Sequence, residues 1–127
     1  MRKSLSHPDT SLRPLFIASE VYRATNHVQG HPLAIPRVTL TMDLCRSLGW
    51  LDDTNFVESP RATPADLGCF HDPAYINAVA AAEREGDAPE EVCRRHHIGA
   101  NGNPIFDGMY RRPATACGGG MLAARLL

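Results

Sequence analysis

The chain's first clear pattern is an apolar run. LFIASEVY (15–22) opens with four apolar residues in succession. A continuous run suits a strand buried on both faces of a parallel sheet, whereas a half-exposed hairpin strand would alternate. The stretch that follows, RATNHVQGHPLAIP (23–36), contains Gly30 and two prolines among polar residues and reads as a loop. Pro36 then opens a helix, because its missing N–H is harmless at a first helical position. Val38, Met42, Cys45 and Leu48 recur at spacings of four, three and three, giving that helix one apolar face, and Gly49 is its stop. NFVES (55–59) reads as a second, brief strand.

Two helix starts follow in ATPADLGCFHDPAY. Thr63 can cap a short helix with Pro64 at its first position, and Asp72 can cap a longer one with Pro73 there. The second runs to Gly86, with Tyr75, Ile76, Val79 and either Ala80 or Ala82 facing inward. Residues 86–113 lack a clear period and hold three prolines and four glycines, so they read as one long loop, a length that usually serves function. PATACGGGMLAARLL is helical from Pro113. Each of its three glycines weakens a helix by ~1 kcal/mol relative to alanine, so they call for a close backbone approach to another element.

Leu126 and Leu127 carry the chain to its last residue without a helix stop signal. Two strands also make a small sheet for several helices to cover. Both observations lead to the expectation of a truncated domain spanning residues 14–127, with 1–13 as a disordered lead-in. Its apolar last helix (Met121, Leu122, Leu126 and Leu127) would favour self-association by exchange between copies.

Composition narrows the function classes. A formal net charge of −1 gives no field favouring nucleic acid or an anionic membrane. The pairs Arg94–Arg95 and Arg111–Arg112 read as solvated surface. No apolar run approaches the ~20 residues of a membrane helix, and the first residues lack the apolar core of a secretory signal; cytoplasm is the expected compartment. Cys45, Cys69, Cys93 and Cys117 stand 24 residues apart, but their flanks share nothing, so the spacing is no repeat. They read as reduced, buried small residues. Cys93, His96, His97 and His71 could form a small metal-binding module, although neighbouring histidines do not readily face one ion and a structural zinc usually takes four ligands. A helix-end or loop pair in solvent is the favoured reading of His96–His97. No nucleophile–base pair stands out; Glu58 and Asp107 are scattered from the histidines.

Three stretches carry a resemblance: GHPLAIPRVTLTMDLCRSLGWL (30–51), PRATPADLGCFHDPAYINAV (60–79) and IGANGNPIFDGMYRRPATACGGGMLAARLL (98–127). In order and spacing they resemble the amino-terminal part of the histone-deacetylase and acetoin-utilisation deacetylases. The resemblance implies an arginase-like α/β fold, a parallel sheet with helices on both faces, of which this segment supplies one or two strands and several helices. It also implies zinc-dependent hydrolysis of an acetyl-amide on lysine or a polyamine. The family's metal ligands lie in Gly-Gly-x-His-His and Asp-x-Asp-x-His-His stretches after the glycine-containing helix, with a further Asp and a Tyr beyond; none is present here. By the resemblance this chain carries no catalytic residue, binds no metal and is inactive alone, and acetylated substrate partners only a full-length parent. Tyr22, His31, Asn101 and Asn103 correspond to rim positions at the site's entrance, and Arg37 to an arginine lining an internal channel. Arg37 also reads as a helix-start arginine bonding loop carbonyls, and the two readings are compatible. Gly102 stands where relatives often carry an acidic residue, so that carboxylate is not available to hold a substrate amide.

Overall fold

In the computed structural model of the chain, the structure describes residues 14–24, 29–100 and 102–127, so the expected lead-in lies outside the described residues. Strand β1 (Phe16–Ala18) pairs in parallel with β2 (Phe56–Glu58), with Phe16 opposite Phe56 and Ala18 opposite Glu58. The ladder extends at both ends, from the Phe16 amide to the Asn55 carbonyl (2.8 Å) and from the Ser59 amide to the Ala18 carbonyl (2.7 Å). β1 is shorter than the apolar run. The Ser19 hydroxyl accepts from the Val21 amide, and the chain turns into the single-turn helix α1 (Val21–Ala24).

Helix α2 (Arg37–Ser47) follows a 3₁₀ turn at Pro32–Ala34 and ends before Gly49, whose φ of 69° closes the turn. Its buried residues are Thr39 and Met42, while Val38 and Leu48 are exposed. The inward face is therefore rotated from the one the spacing predicts. What covers the sheet is Met42, fully buried with Ala18 and Leu51 and flanked by Phe16, Cys45 and Phe56. Removing a side chain so enclosed costs about 2–5 kcal/mol.

The two capped starts form as expected. Thr63 and Asp66 make a reciprocal capping box at α3 (Pro64–Leu67), and Asp72 accepts from the Ala74 amide at the start of α4 (Pro73–Glu85). Ile76, Val79 and Ala82 are buried on α4, with Tyr75 half-buried beside them, and Gly86 ends the helix at φ 72°. The expected long loop contains a helix, α5 (Glu90–His96). Only Val92, Cys93 and His96 are half-buried there, too few to make an apolar period. Charge supports this helix instead: Glu90 and Glu91 in the first turn, Arg94, Arg95 and His96 in the last. Val79 and Ala82 of α4 pack with Ile98 and Met109 in a second core cluster, flanked by Val92 and Phe106. The cysteines are free, but only Cys45 and Cys93 are half-buried; Cys69 and Cys117 are exposed, against expectation. No helix among the described residues is long and apolar enough to cross a membrane.

Helix α6 (Arg111–Leu126) starts two residues before the predicted Pro113, which fits because an N–H in the first turn has no intrahelical acceptor. α6 lies against the segment that leaves β2. Ser59 donates its hydroxyl to the Thr115 carbonyl (2.7 Å), and the Ala62 amide donates to the Ala114 carbonyl (2.9 Å). A Cβ at Gly118 would overlap the Pro60 carbonyl oxygen and stand 2.8 Å from the Ala62 nitrogen; at Gly119 it would collide with the Ser59 hydroxyl. At Gly120 it would meet open space.

Three adjacent glycines should therefore behave differently. Gly118→Ala should destabilise by about 1–3 kcal/mol or more through forced backbone displacement, whereas Gly120→Ala should stabilise by about 0.5–1 kcal/mol through helix propensity. Denaturant unfolding of the two variants checks this; equal effects would contradict the packing.

Candidate functional site

Three of the residues singled out in the sequence, Tyr22, Arg37 and Asn103, meet on an open cleft of about 400 Å³ between the first turns of α2 and α6. Tyr22, Arg37, Asn103 and Arg112 line it, together with Phe106 and Met109. Tyr22 reaches it from α1: its hydroxyl donates to the Arg112 carbonyl (3.3 Å), and the Arg112 guanidinium lies 5.5 Å from its ring centre. Burial pushes the Tyr22 phenol above its ordinary pKa, with the Arg112 charge pulling the other way, so it stays a neutral donor at physiological pH. Arg37 donates to the Pro32 carbonyl (3.1 Å), so a helix-start arginine tying down its loop is what the structure contains, here with the same residue on the cleft wall.

Asn103 is held by its own loop. Its side-chain amide donates to the His97 carbonyl (3.0 Å), its backbone amide to Ala100 (2.9 Å), and its carbonyl accepts from Gly99 (2.8 Å). Asn103 therefore holds the loop at the cleft through hydrogen bonds to backbone groups. Asn101 lies outside the described residues. His31 is half-buried, with its carbonyl accepting from Ala34 (2.8 Å), and does not line this cleft.

A second cleft of about 240 Å³ lies across the ridge formed by Asn103, Met109 and Pro113. His71, Tyr75, Tyr110 and Cys117 border it. The Tyr75 ring sits between those of His71 and His96, with centres 6.0 and 5.9 Å away. His97 ends α5 in a left-handed conformation (φ 54°) and is exposed, so the histidine pair belongs to a helix end. Among the described residues, no three His, Cys, Asp or Glu side chains come together to hold a metal ion, and Cys93 turns its thiol to the Ala88 carbonyl.

The reading of Arg111–Arg112 as solvated surface is corrected by the structure: both are half-buried. Arg111 pairs with Glu83 of α4 (2.6 Å) and with Asp107. The Glu83 carboxylate also accepts from the backbone amides of Tyr110 (2.6 Å) and Arg111 (3.0 Å), capping α6 from a neighbouring helix. Burial pushes the Glu83 carboxyl up, but those amides and the Arg111 guanidinium outweigh it and hold it below the usual glutamate range. No sequence signal marks this contact, because the partners stand 27 and 28 residues apart.

The sequence profile of the histone deacetylase domain matches residues 31–127. The acetoin utilization protein AcuC of Bacillus subtilis (strain 168) is 33% identical over 110 residues, covering 87% of this chain and 28% of that protein. A putative histone deacetylase 2 of Caenorhabditis elegans is 31% identical over 101 residues, covering 78% and 20%. Among solved structures, the fold is similar to an HDAC homolog from Aquifex aeolicus and to an HDAC homolog complexed with SAHA, each with a TM-score of 0.84 and 28% identity, covering 89% of this chain and 30% of the other. The chain thus spans less than a third of the length of these relatives.

Glu83 links the site to pH. Because its carboxyl is held below the ordinary value in the folded chain, its contribution is complete above that ordinary value (~4.3) and disappears as pH falls through the depressed one. Glu83→Gln should cost about 1.5–3 kcal/mol at neutral pH, as expected for hydrogen bonds to a charged group, and should flatten the acid limb of stability. Unfolding curves at several pH values check this; an unchanged acid limb would contradict it.

Proposed function

The chain belongs to the histone deacetylase domain family, and on that premise we propose that it forms the substrate-entry side of a zinc-dependent hydrolase that removes acetyl groups from lysine side chains or polyamines. The supporting observation is convergence: Tyr22 and Arg37, from the first third of the chain, meet Asn103 on one cleft, and Arg37 and Asn103 lie within the region the family profile covers. In this reading the zinc supplies carbonyl polarisation and an activated water, but the described residues do not provide its ligands, so no step is assigned to them through the metal. Their part is to orient and enclose. Asn103 fixes the outer loop against His97, Tyr22 braces the start of α6, and Arg37 ties the 32–36 turn to the inner wall. By the resemblance His31 belongs to the outer rim, and the compartment in this reading is the cytoplasm.

On this proposal the 127-residue chain alone hydrolyses neither acetyl-lysine peptides nor acetylpolyamines and carries no stoichiometric zinc. In a polypeptide of the relatives' full length, Arg37→Ala should reduce turnover more than His31→Ala. Elemental analysis and a deacetylation assay check both statements. One zinc per chain, with activity abolished by His96→Ala or His97→Ala, would overturn the proposal in favour of a Cys/His metal module.

A second reading, self-association, is favoured by exposed apolar side chains: Trp50, Phe70, Leu126, and Leu40 with Leu44 on α2. Burying each large apolar side chain is worth ~1.5–3 kcal/mol. Light scattering over a dilution series should show oligomers that Leu126→Asp weakens. A monomer at every concentration, indifferent to that substitution, would dismiss this reading.

A further inference from the structure

We infer that the second cleft, between α4 and the first turns of α6, binds a small uncharged aromatic molecule carrying one hydrogen-bonding substituent. Its floor is apolar and fixed. Ile76, Val79, Met109 and Ala114 are buried, and all four line the cleft. Val79 and Met109 belong to one core cluster, and the Ala114 carbonyl accepts from the Ala62 amide (2.9 Å). A floor held by two packed helices is in place before any ligand arrives, as it usually is in small-molecule clefts.

The rim is polar and lacks partners. The hydroxyls of Tyr75 and Tyr110 and the imidazole nitrogens of His71 make no hydrogen bond to a described residue. The Asn103 side chain donates its amide to the His97 carbonyl, which leaves its oxygen as an acceptor. An apolar floor below a few convergent polar groups is the usual composition of a ligand cleft.

Charge and size narrow the ligand. No Asp, Glu, Lys or Arg is among the described residues lining the cleft. An ion seated on this floor would lose hydration without gaining a counter-charge. An apolar cavity of ~150 Å³ accommodates benzene, so about 240 Å³ holds one ring and a short substituent. The walls favour a ring over an alkyl chain. Tyr75 stacks between His71 and His96, with ring centres 6.0 and 5.9 Å away, and Met109 and Cys117 bring sulfur to the same wall. Both rings and sulfur make favourable contacts with an added aromatic. The inference concerns binding alone and does not depend on the amide-hydrolase reading.

Cysteine labelling tests it on the chain as it stands. Cys117 is exposed and borders the cleft, whereas Cys69 is exposed outside it. With iodoacetamide as the reagent and peptide mass spectrometry as the readout, para-cresol should slow alkylation of Cys117 saturably and leave Cys69 unchanged. Toluene and methylcyclohexanol should each bind about fivefold more weakly, the equivalent of one neutral hydrogen bond or one ring contact. Para-toluate and para-methylbenzylammonium should give no protection. Tyr75→Phe combined with Tyr110→Phe should lower para-cresol to the level of toluene. Cys117→Phe fills the cleft from its exposed side and should abolish the amide shifts that para-cresol induces at Tyr75 and Met109, whereas Ala116→Phe, outside the cleft, should not. Far-UV circular dichroism confirms that each variant is folded; where one is not, the ligand series on the wild type decides. Unsaturable protection, equal protection of both cysteines, equal affinity for para-cresol and methylcyclohexanol, protection by either charged analogue, or shifts that survive Cys117→Phe would each overturn the inference. A failed deacetylation assay would leave these results standing, so the two readings fail separately.

Discussion

The contact of α6 with the segment leaving β2 is the constraint on which the rest of the structure depends. Residues 59–62 run so close to Gly118 and Gly119 that no side chain fits between them, and hydrogen bonds from Ser59 and Ala62 to the α6 carbonyls lock the approach. Ser59 is bonded at the same time to β1 through the Ala18 carbonyl. Helix, connecting segment and sheet therefore share one backbone network. A glycine pair that weakens the isolated helix is what allows that helix to dock on a two-stranded sheet.

The cleft follows from this docking. With α6 fixed at its middle, its first turn meets α1, which brings Arg112 over Tyr22 and onto the cleft that Arg37 also lines. Glu83 holds the same turn from the other side, replacing the side-chain cap that Tyr110 does not provide. The two anchors differ in kind. One is steric and independent of pH; the other is electrostatic and weakens in acid.

Local chemistry was legible in the sequence wherever one residue type answers one backbone need. Thr63–Pro64, Asp72–Pro73 and Gly86 mark helix ends, and the expected close approach at 118–120 is present at two of the three glycines. The continuous apolar run also marked a strand of a parallel sheet, and the structure pairs it in parallel with the second, brief strand. What escaped depends on partners distant in sequence. The buried face of α2 is set by Leu51 and Ala18 as much as by its own spacing, so the strip centres on Thr39 and Met42. α5 hides because it is carried by terminal charges and buries little. Arg112 looked like one of a solvated pair; only the fold shows that its neighbour Arg111 is consumed by Glu83 while Arg112 turns to the cleft. Of the candidate site residues, Tyr22, Arg37 and Asn103 share that cleft, His31 stands apart from it, and the resemblance, rather than periodicity, had singled them out.

The central claim is that docking of α6 at Gly118 builds the cleft. Nuclear Overhauser contacts in the uniformly labelled chain test it most directly. Docking at Gly118 should give strong cross-peaks from the Gly118 α-protons to the Ala62 amide, together with contacts from the Tyr22 ring to the Arg112 side chain. A dispersed, folded spectrum with the Tyr22–Arg112 contacts present and the Gly118–Ala62 peaks missing would contradict it, because the cleft would then form without the docking said to create it.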